Sequence, residues 1–179
     1  FASVMELREQ LLKEHSKAQC TKIVKWVSSS QQRFDELFDL FLNDEYRVVQ
    51  RAAWPVSYCV DAHPELISKH WKELMDNLKK PNLHDAVKRN SIRLMQDIEL
   101  PEAYHGEIMG LCFTYLESPK ESLAVKVFSM SVIANLAKYY PEIKPELKLI
   151  IEDQLPHQSA GFKSRAKMVL KQLSKLPGL

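Results

Sequence analysis

Glycine is scarce in this chain, which has only four among its 179 residues, at positions 106, 110, 161 and 178. Phosphate-binding loops and dinucleotide-binding turns need several glycines in close register, because the backbone must approach a phosphate without a Cβ in the way. Turn-rich β-sandwiches and barrels also use glycine at many reversals, whereas glycine in a helix costs about 1 kcal/mol relative to alanine. The scarcity excludes the glycine-rich phosphate sites and favours a helical fold.

Cysteine is also rare, and Cys20, Cys59 and Cys112 lie far apart among apolar residues in a helical pattern. Such an odd, scattered set predicts free, buried thiols in a reducing compartment. The longest apolar stretch, residues 123–137, is interrupted by Lys126 and several serines, and no secretory leader precedes it. We therefore expect a cytoplasmic protein with no membrane partner.

Metal-binding and catalytic motifs are missing as well. Cys59 and His63 are four residues apart, but two ligands do not hold zinc, and neither a CxxC nor an HExxH pattern occurs. No GxSxG nucleophile elbow is present. We therefore assign no catalytic residue, no metal site and no cofactor, and the sequence favours a non-enzymatic protein without excluding an enzyme.

A repeat is the strongest positive signal in the sequence. Val49, Val87, Val125 and Phe162 are spaced by 38, 38 and 37 residues. Four residues after each stands a small side chain, and two further apolar columns follow at offsets of 7 and 11. The members of these three columns are Ala53, Ser91, Ser129 and Ala166; Val56, Leu94, Val132 and Val169; and Val60, Ile98, Leu136 and Leu173. Offsets of 4, 7 and 11 put all four columns on one stripe of a helix, and the small column predicts close approach of another helix.

A second type of helix precedes each of these, and proline separates the units at Pro64, Pro101 and Pro141. Proline fits the first turn of a helix, where its missing N–H needs no partner. The predicted first helices span residues 31–43, 65–80, 102–117 and 142–155. The predicted second helices span residues 45–62, 83–98, 121–139 and 160–176. We expect one domain over residues 1–179, with an atypical terminal pair at 1–28 and repeats at 31–62, 65–98, 102–139 and 142–176.

The start of the first full second helix carries a recognisable signature. Asn43-Asp44 followed by Val49-Gln50-Arg51-Ala52-Ala53 resembles the HEAT repeat, in which Asp ends the inter-helix turn and Val-Arg-x-x-Ala opens the second helix. Later repeats keep Val87-Lys88 with Ser91 and Val125-Lys126 with Ser129, whereas the last has Phe162-Lys163 and no Asp in register. The resemblance implies an all-α, right-handed α-α superhelix of about five helical hairpins, with the second helices on the concave face. It implies binding and no particular reaction.

Charge differs between the two helix types. The first helices sum to a net negative charge and the second helices to a net positive charge, most of it in residues 160–176. A basic inner surface favours an acidic partner. The residues predicted to face such a partner are Arg47, Arg51, Trp54, Tyr58, Arg89, Arg93, Lys126, Lys163, Lys167 and Lys171.

Some of these residues also have a purely structural explanation. The basic column that includes Lys126 and Lys163 is also the ordinary HEAT ladder, in which the side chain bonds a neighbouring turn. Trp54 is equally explained by packing between repeats, because Ile92 and Met130 at the equivalent positions are apolar. Pro55 removes one backbone hydrogen bond and is expected to bend its helix.

Three functions therefore remain open. The favoured one is a scaffold that binds an acidic or mixed protein or peptide on its basic second-helix face. The alternative is nucleic-acid binding, at its extreme a base-excision enzyme similar to the HEAT-like alkylpurine DNA glycosylases, with Trp54, Asp61 and Arg89 as stand-ins. The third is a purely structural role as a homo-oligomer or as part of a larger solenoid, although the basic, polar last helix looks like a terminal cap.

Overall fold

The computed structural model describes residues 4–177, and within that range every regular element is a helix or a short helical turn. The α-helices, in chain order, are α1 (Val4–Lys13), α2 (Lys17–Val27), α3 (Gln31–Asn43), α4 (Tyr46–Ala62), α5 (Trp71–Leu78), α6 (Asp85–Met95), α7 (His105–Glu117), α8 (Leu123–Leu136), α9 (Ile143–Gln154) and α10 (Ala160–Ser174). Residues 1–3 of the predicted terminal pair, and residues 178 and 179 of the predicted domain, lie outside the described residues. The all-α prediction is confirmed.

The helices fall into two compact units, and the chain passes from one to the other between Ile98 and Glu99. The first unit contains α1 to α6 and the second contains α7 to α10. The division coincides with the predicted boundary between the repeats at 65–98 and 102–139. A single domain over the whole chain stays a prediction.

Serine caps start four of the helices. The side chain of Ser16 accepts a hydrogen bond from the backbone N–H three residues on, at the start of α2. Ser30, Ser122 and Ser159 do the same at α3, α8 and α10. Each cap satisfies one of the N–H groups that the first turn of a helix leaves without a partner. Local sequence therefore sets where these helices begin.

The predicted stripe of the second helices forms the core. In the small column Ala53, Ser91, Ser129 and Ala166 are all fully buried, and the column at offset 7 is buried throughout. Val49 and Ile98 are half-buried members of the stripe, and Val48 is fully buried beside Val49. The spacing therefore predicts the buried face correctly, and the small side chains lie where helices pack closely.

The first helix of the repeat at 65–98 is not continuous, so the prediction of one helix over 65–80 is wrong. A 3-10 turn at Pro64–Ile67 comes first, and α5 begins only at Trp71. The buried His70 lies at the break, and its backbone N–H donates to the carbonyl of Ile67. Its ring is tilted by 32° against that of Phe38 in α3, with the two centroids 4.4 Å apart. Contacts of His70 with α3 thus override the local helical pattern.

Other helix boundaries differ from the predicted ones by only a few residues. Glu102–Tyr104 form a 3-10 turn before α7, and α6 begins at Asp85 after Asn82 adopts a left-handed backbone with φ of 59°. Asparagine tolerates that conformation better than most residues, so the loop turns there. The helix α4 runs through Pro55 without ending.

Candidate functional site

Two of the predicted arginines lie on successive turns of α4. Arg51 donates from one guanidinium nitrogen to the carbonyls of Leu11 and Leu12, at 3.1 and 2.8 Å. These carbonyls belong to the last turn of α1, where a helix leaves its acceptors without partners, so Arg51 caps α1. Arg47 is exposed, and its side chain makes no hydrogen bond or ion pair with the described residues.

The side chain of Arg93 connects α6 to α4 through hydrogen bonds. Its guanidinium donates to Ser57 Oγ and to Asp61 Oδ2, both at 2.7 Å, and lies 4.4 Å from the centroid of the Tyr58 ring. All three partners are on α4, so the arginine fills a position between two neighbouring second helices. A charge held by an ion pair, a hydroxyl and an aromatic face is largely satisfied inside the protein.

Trp54 is half-buried, next to the fully buried Pro55 and Val56. Its ring meets those of His15 and Tyr58 with centroids 6.1 and 6.0 Å away. The equivalent residues Ile92 and Met130 are fully buried. Trp54 therefore packs within the first unit and also keeps part of its surface accessible.

Arg89 stays within its own helix. It donates to Asp85 Oδ2 one turn earlier at 2.9 Å, and both side chains are about two-fifths exposed, at 42% and 38%. Exposed pairs of this kind contribute little to stability. In the first unit the structure therefore brings together Trp54, Tyr58 and Arg93, with Arg51 on the preceding turn of α4, while Arg89 is paired elsewhere.

Lys126 is buried in the second unit, with only 5% of the residue exposed. Its ammonium donates to the carbonyls of Leu116 and Ser118 at 2.7 and 2.8 Å, and to Gln154 Oε1 at 3.2 Å. Burial lowers the pKa of Lys126, and the charge of Glu121 offsets part of that effect. Its donors are used inside the fold, as the ladder alternative expects, and they are not available to a ligand.

The remaining predicted lysines lie on α10 and are exposed. Lys163, Lys167 and Lys171 recur every four residues, and Lys175 at the end of the helix continues the series; we name these four the lysine row. None of them makes a hydrogen bond or ion pair through its side chain with the described residues. The helix α10 carries no Asp or Glu, so this row is the strongest unpaired charge among the predicted site residues.

A cleft that the sequence interpretation missed lies in the second unit. It has a volume of about 390 Å³ and is lined by Glu99, Leu100, Glu102, His105, Tyr139 and Tyr140; we name it the aromatic cleft. Its residues come from the turn before α7 and the turn after α8. The adjacent tyrosines directly before Pro141 are the sequence signal that marks it, because the turns before Pro64 and Pro101 have Ala62-His63 and Glu99-Leu100 there.

Among residues 4–177, no three His, Cys, Asp or Glu side chains are grouped so that they could hold a metal ion. His63 instead faces Glu65, with its Nδ1 atom 3.6 Å from the carboxylate. The same part of the chain contains no helix that is both long enough and apolar enough to cross a membrane.

Comparison with known proteins identifies the fold family. The profile of the HEAT repeat domain matches residues 7–173, which is nearly the whole chain and includes all four predicted repeats except the last residues of the fourth. Comparison with curated proteins finds no match. This match agrees with two structural observations, the pairing of the helices and the burial of the small column, and all three indicate a HEAT-repeat fold. The chain belongs to the HEAT repeat domain family.

Proposed function

We propose that this HEAT-repeat protein is a non-enzymatic scaffold that holds an acidic segment of a partner protein against the basic side of its second helices. HEAT repeats form helical scaffolds that commonly mediate protein interactions, and such repeats offer extended surfaces for binding. The principal contact in the proposal is the lysine row on α10. The observation that carries it is that all four of these lysines are exposed and unpaired within the described residues.

Other lysines of the protein show how unusual this row is. Lys72 is paired with Asp76 one turn later, at 2.6 Å, and Lys148 lies 3.9 Å from Glu152 on α9. These helices neutralise their own charge, whereas α10 has no carboxylate to do so. Lysines four residues apart rise about 6 Å along a helix, so the row matches carboxylates with the same spacing on an acidic helix.

In the first unit the proposal retains three of the predicted residues as a second contact area. Arg47 is exposed, and Trp54 and Tyr58 each keep part of their surface accessible. Aromatic and arginine side chains dominate binding hot spots. Arg51, Arg93 and Lys126 support this area and the second unit through the internal bonds described above, and we assign them no direct contact.

The test uses a fluorescein-labelled, alanine-rich helical peptide with Glu at every fourth position. Replacement of Lys163, Lys167 and Lys171 by Gln should weaken its binding about tenfold or more and flatten its salt dependence. A matched control replaces Lys72, Lys79 and Lys148 by Gln, which changes the net charge equally but removes paired lysines. Equal losses in the two variants would show that only net charge matters, and unchanged binding by the α10 variant would refute the proposal.

Nucleic-acid binding is the second candidate, because the lysine row also suits phosphates. A spacing of about 6 Å is close to that of every second phosphate along one DNA strand, where phosphates rise about 3.4 Å apart. Tighter binding of a DNA duplex than of the acidic peptide, with a steep loss of affinity as salt rises, would favour this candidate. The glycosylase-like form of it has less support, because Asp61 is paired with Arg93 and Arg89 with Asp85.

A further inference from the structure

The aromatic cleft is formed by the two ends of one helical hairpin. The helices α7 and α8 pack against each other as neighbours in sequence, so the turn that leads into α7 lies near the turn that follows α8. The first turn provides Glu99, Leu100 and Glu102, and the second provides Tyr139 and Tyr140. His105, the first residue of α7, forms the buried wall between them and is 5% exposed.

Hydrogen bonds inside the cleft decide which polar atoms remain for a ligand. His105 Nε2 lies 2.9 Å from the carbonyl oxygen of Leu100, which can only accept, so Nε2 carries a proton. Nδ1 of the same ring lies 3.0 Å from the Tyr140 hydroxyl, and in the tautomer with its proton on Nε2 it accepts a hydrogen bond from that hydroxyl. The Tyr139 hydroxyl donates to Glu99 Oε1. All three donors are used within the cleft.

The atoms left over are acceptors. The Glu102 carboxylate makes no hydrogen bond or ion pair with the described part of the chain, and Glu99 keeps its second oxygen. The Tyr140 hydroxyl donates a hydrogen bond to His105, and its oxygen keeps its lone pairs. A ligand that matches this lining must therefore donate several hydrogen bonds and carry positive charge.

The aromatic side chains of the cleft also favour a positively charged ligand. Tyr139 is 46% exposed and stacks on His105, with ring centroids 5.5 Å apart. The ammonium of Lys138 lies 4.8 Å from the centroid of the Tyr139 ring, so a cation from the chain itself already uses this aromatic surface. Cations are attracted to the negative face of an aromatic ring.

We propose that the aromatic cleft binds the guanidinium group of an arginine side chain presented by a partner protein. A guanidinium has five N–H donors and no acceptor, spans a carboxylate with two parallel bonds and stacks flat on a tyrosine ring. A lysine ammonium shares the charge but lacks the planar shape. The volume of about 390 Å³ is near the lower end of ligand pockets, so it suits one side chain. This site contains no residue of the lysine row, so the proposal is independent of the one made for that row.

The test is a titration of the isotope-labelled protein with the peptide acetyl-Gly-Arg-Gly-amide, followed by amide chemical shifts. We expect shifts concentrated at residues 99–105 and 138–140. The citrulline peptide, which has nearly the same shape but no charge, should give little or no shift at the same concentration, and the lysine peptide should bind more weakly. Equal shifts from the citrulline peptide, shifts spread over the whole chain, or no shift up to about 10 mM would each overturn the proposal.

Two variants sharpen the result. Glu102→Gln should weaken the arginine peptide about tenfold, because it removes a charge-assisted acceptor from an exposed side chain. Its matched control is Glu146→Gln on α9, another exposed carboxylate that lies outside the cleft, which should leave the affinity unchanged. Lys138→Gln removes the competing cation and should tighten binding about threefold. Equal weakening by both Glu variants, or weaker binding by Lys138→Gln, would contradict the assignment of the site.

Discussion

Lys126 donates a hydrogen bond of 2.7 Å from its ammonium to the carbonyl oxygen of Leu116 in the last turn of α7. The same ammonium reaches the carbonyl of Ser118 and the side chain of Gln154 at the end of α9. The last carbonyls of a helix have no partners within it, and a cation near them also interacts favourably with the helix dipole. Lys126, on the second helix α8, thus connects the C-terminal ends of the first helices α7 and α9.

We expect Lys126→Met to lower the free energy of unfolding by about 1–3 kcal/mol. The substitution keeps an apolar stem in the buried position but leaves the carbonyl of Ser118 without its donor, whereas the carbonyl of Leu116 keeps the bond from Gln154 Nε2 at 2.9 Å. Urea unfolding followed by circular dichroism measures the change. Lys120→Met, at an exposed position in the same loop region, should change stability by no more than about 0.5 kcal/mol. A similar small change for Lys126→Met would contradict the structural role of this lysine.

Two buried serines should respond to alanine with opposite signs. Ser91 Oγ is fully buried and has no hydrogen-bond partner among the described residues, whereas Ser57 Oγ accepts a bond from Arg93. Removal of an unpaired buried hydroxyl relieves its desolvation cost, so we expect Ser91→Ala to stabilise the protein by about 1 kcal/mol. Ser57→Ala should destabilise it by about 1 kcal/mol, because Arg93 loses a partner.

Each serine serves as the control for the other, because both substitutions remove one hydroxyl from a fully buried site on a second helix. Thermal and urea unfolding of the two variants are compared with the parent protein. A loss of stability in both would show that Ser91 has a partner that matters, and the prediction would be wrong.

Acid should weaken the first unit through Asp44. The hydrogen bonds from Arg8 lower the pKa of Asp44, and they outweigh the effect of its burial. A carboxyl with a lowered native pKa contributes stability that is complete above its unfolded pKa of about 3.9 and is lost as pH falls through the native value. We therefore expect Asp44→Asn to be less stable than the parent protein at pH 7 and to approach it in strong acid.

Urea unfolding at a series of pH values from neutral to acid measures this difference. The control is Asp97→Asn, at an exposed residue of the same unit, which should change stability at pH 7 by no more than about 0.5 kcal/mol. A constant difference between Asp44→Asn and the parent protein at every pH would mean that the Arg8 contact does not act through ionisation.

The three thiols should be unreactive in the folded protein. Cys20, Cys59 and Cys112 are free and buried, and burial raises the pKa of each to about 12. The thiolate is the nucleophile, so little of it is present at pH 8. Ellman's reagent at that pH should label none of them rapidly in buffer and all three after unfolding in urea. Rapid labelling of one thiol in buffer would place that cysteine in a region that opens locally.

The sequence was informative wherever one local pattern decides the structure. Columns of apolar and small side chains at offsets of 4, 7 and 11 from Val87 or Val125 identify the buried stripe of the second helices, because the helical period alone determines which residues share a face. Cysteines set in the same pattern were correctly predicted to be free and buried. The family signature around Asp44 and Arg51 agrees with the match to the HEAT repeat domain.

Only the tertiary structure decided which charges remain available. Arg51, Arg93 and Lys126 look in the sequence like Arg47 and Lys167, yet among the described residues only the first three bond to other elements of the fold. The partners of Arg51 and Arg93 lie 32 to 40 residues away, and those of Lys126 lie 8, 10 and 28 residues away. The aromatic cleft likewise joins turns that are nearly 40 residues apart in the chain. Periodicity determines the face on which a side chain lies, but not the partner that it meets, because that depends on how separate helices pack together.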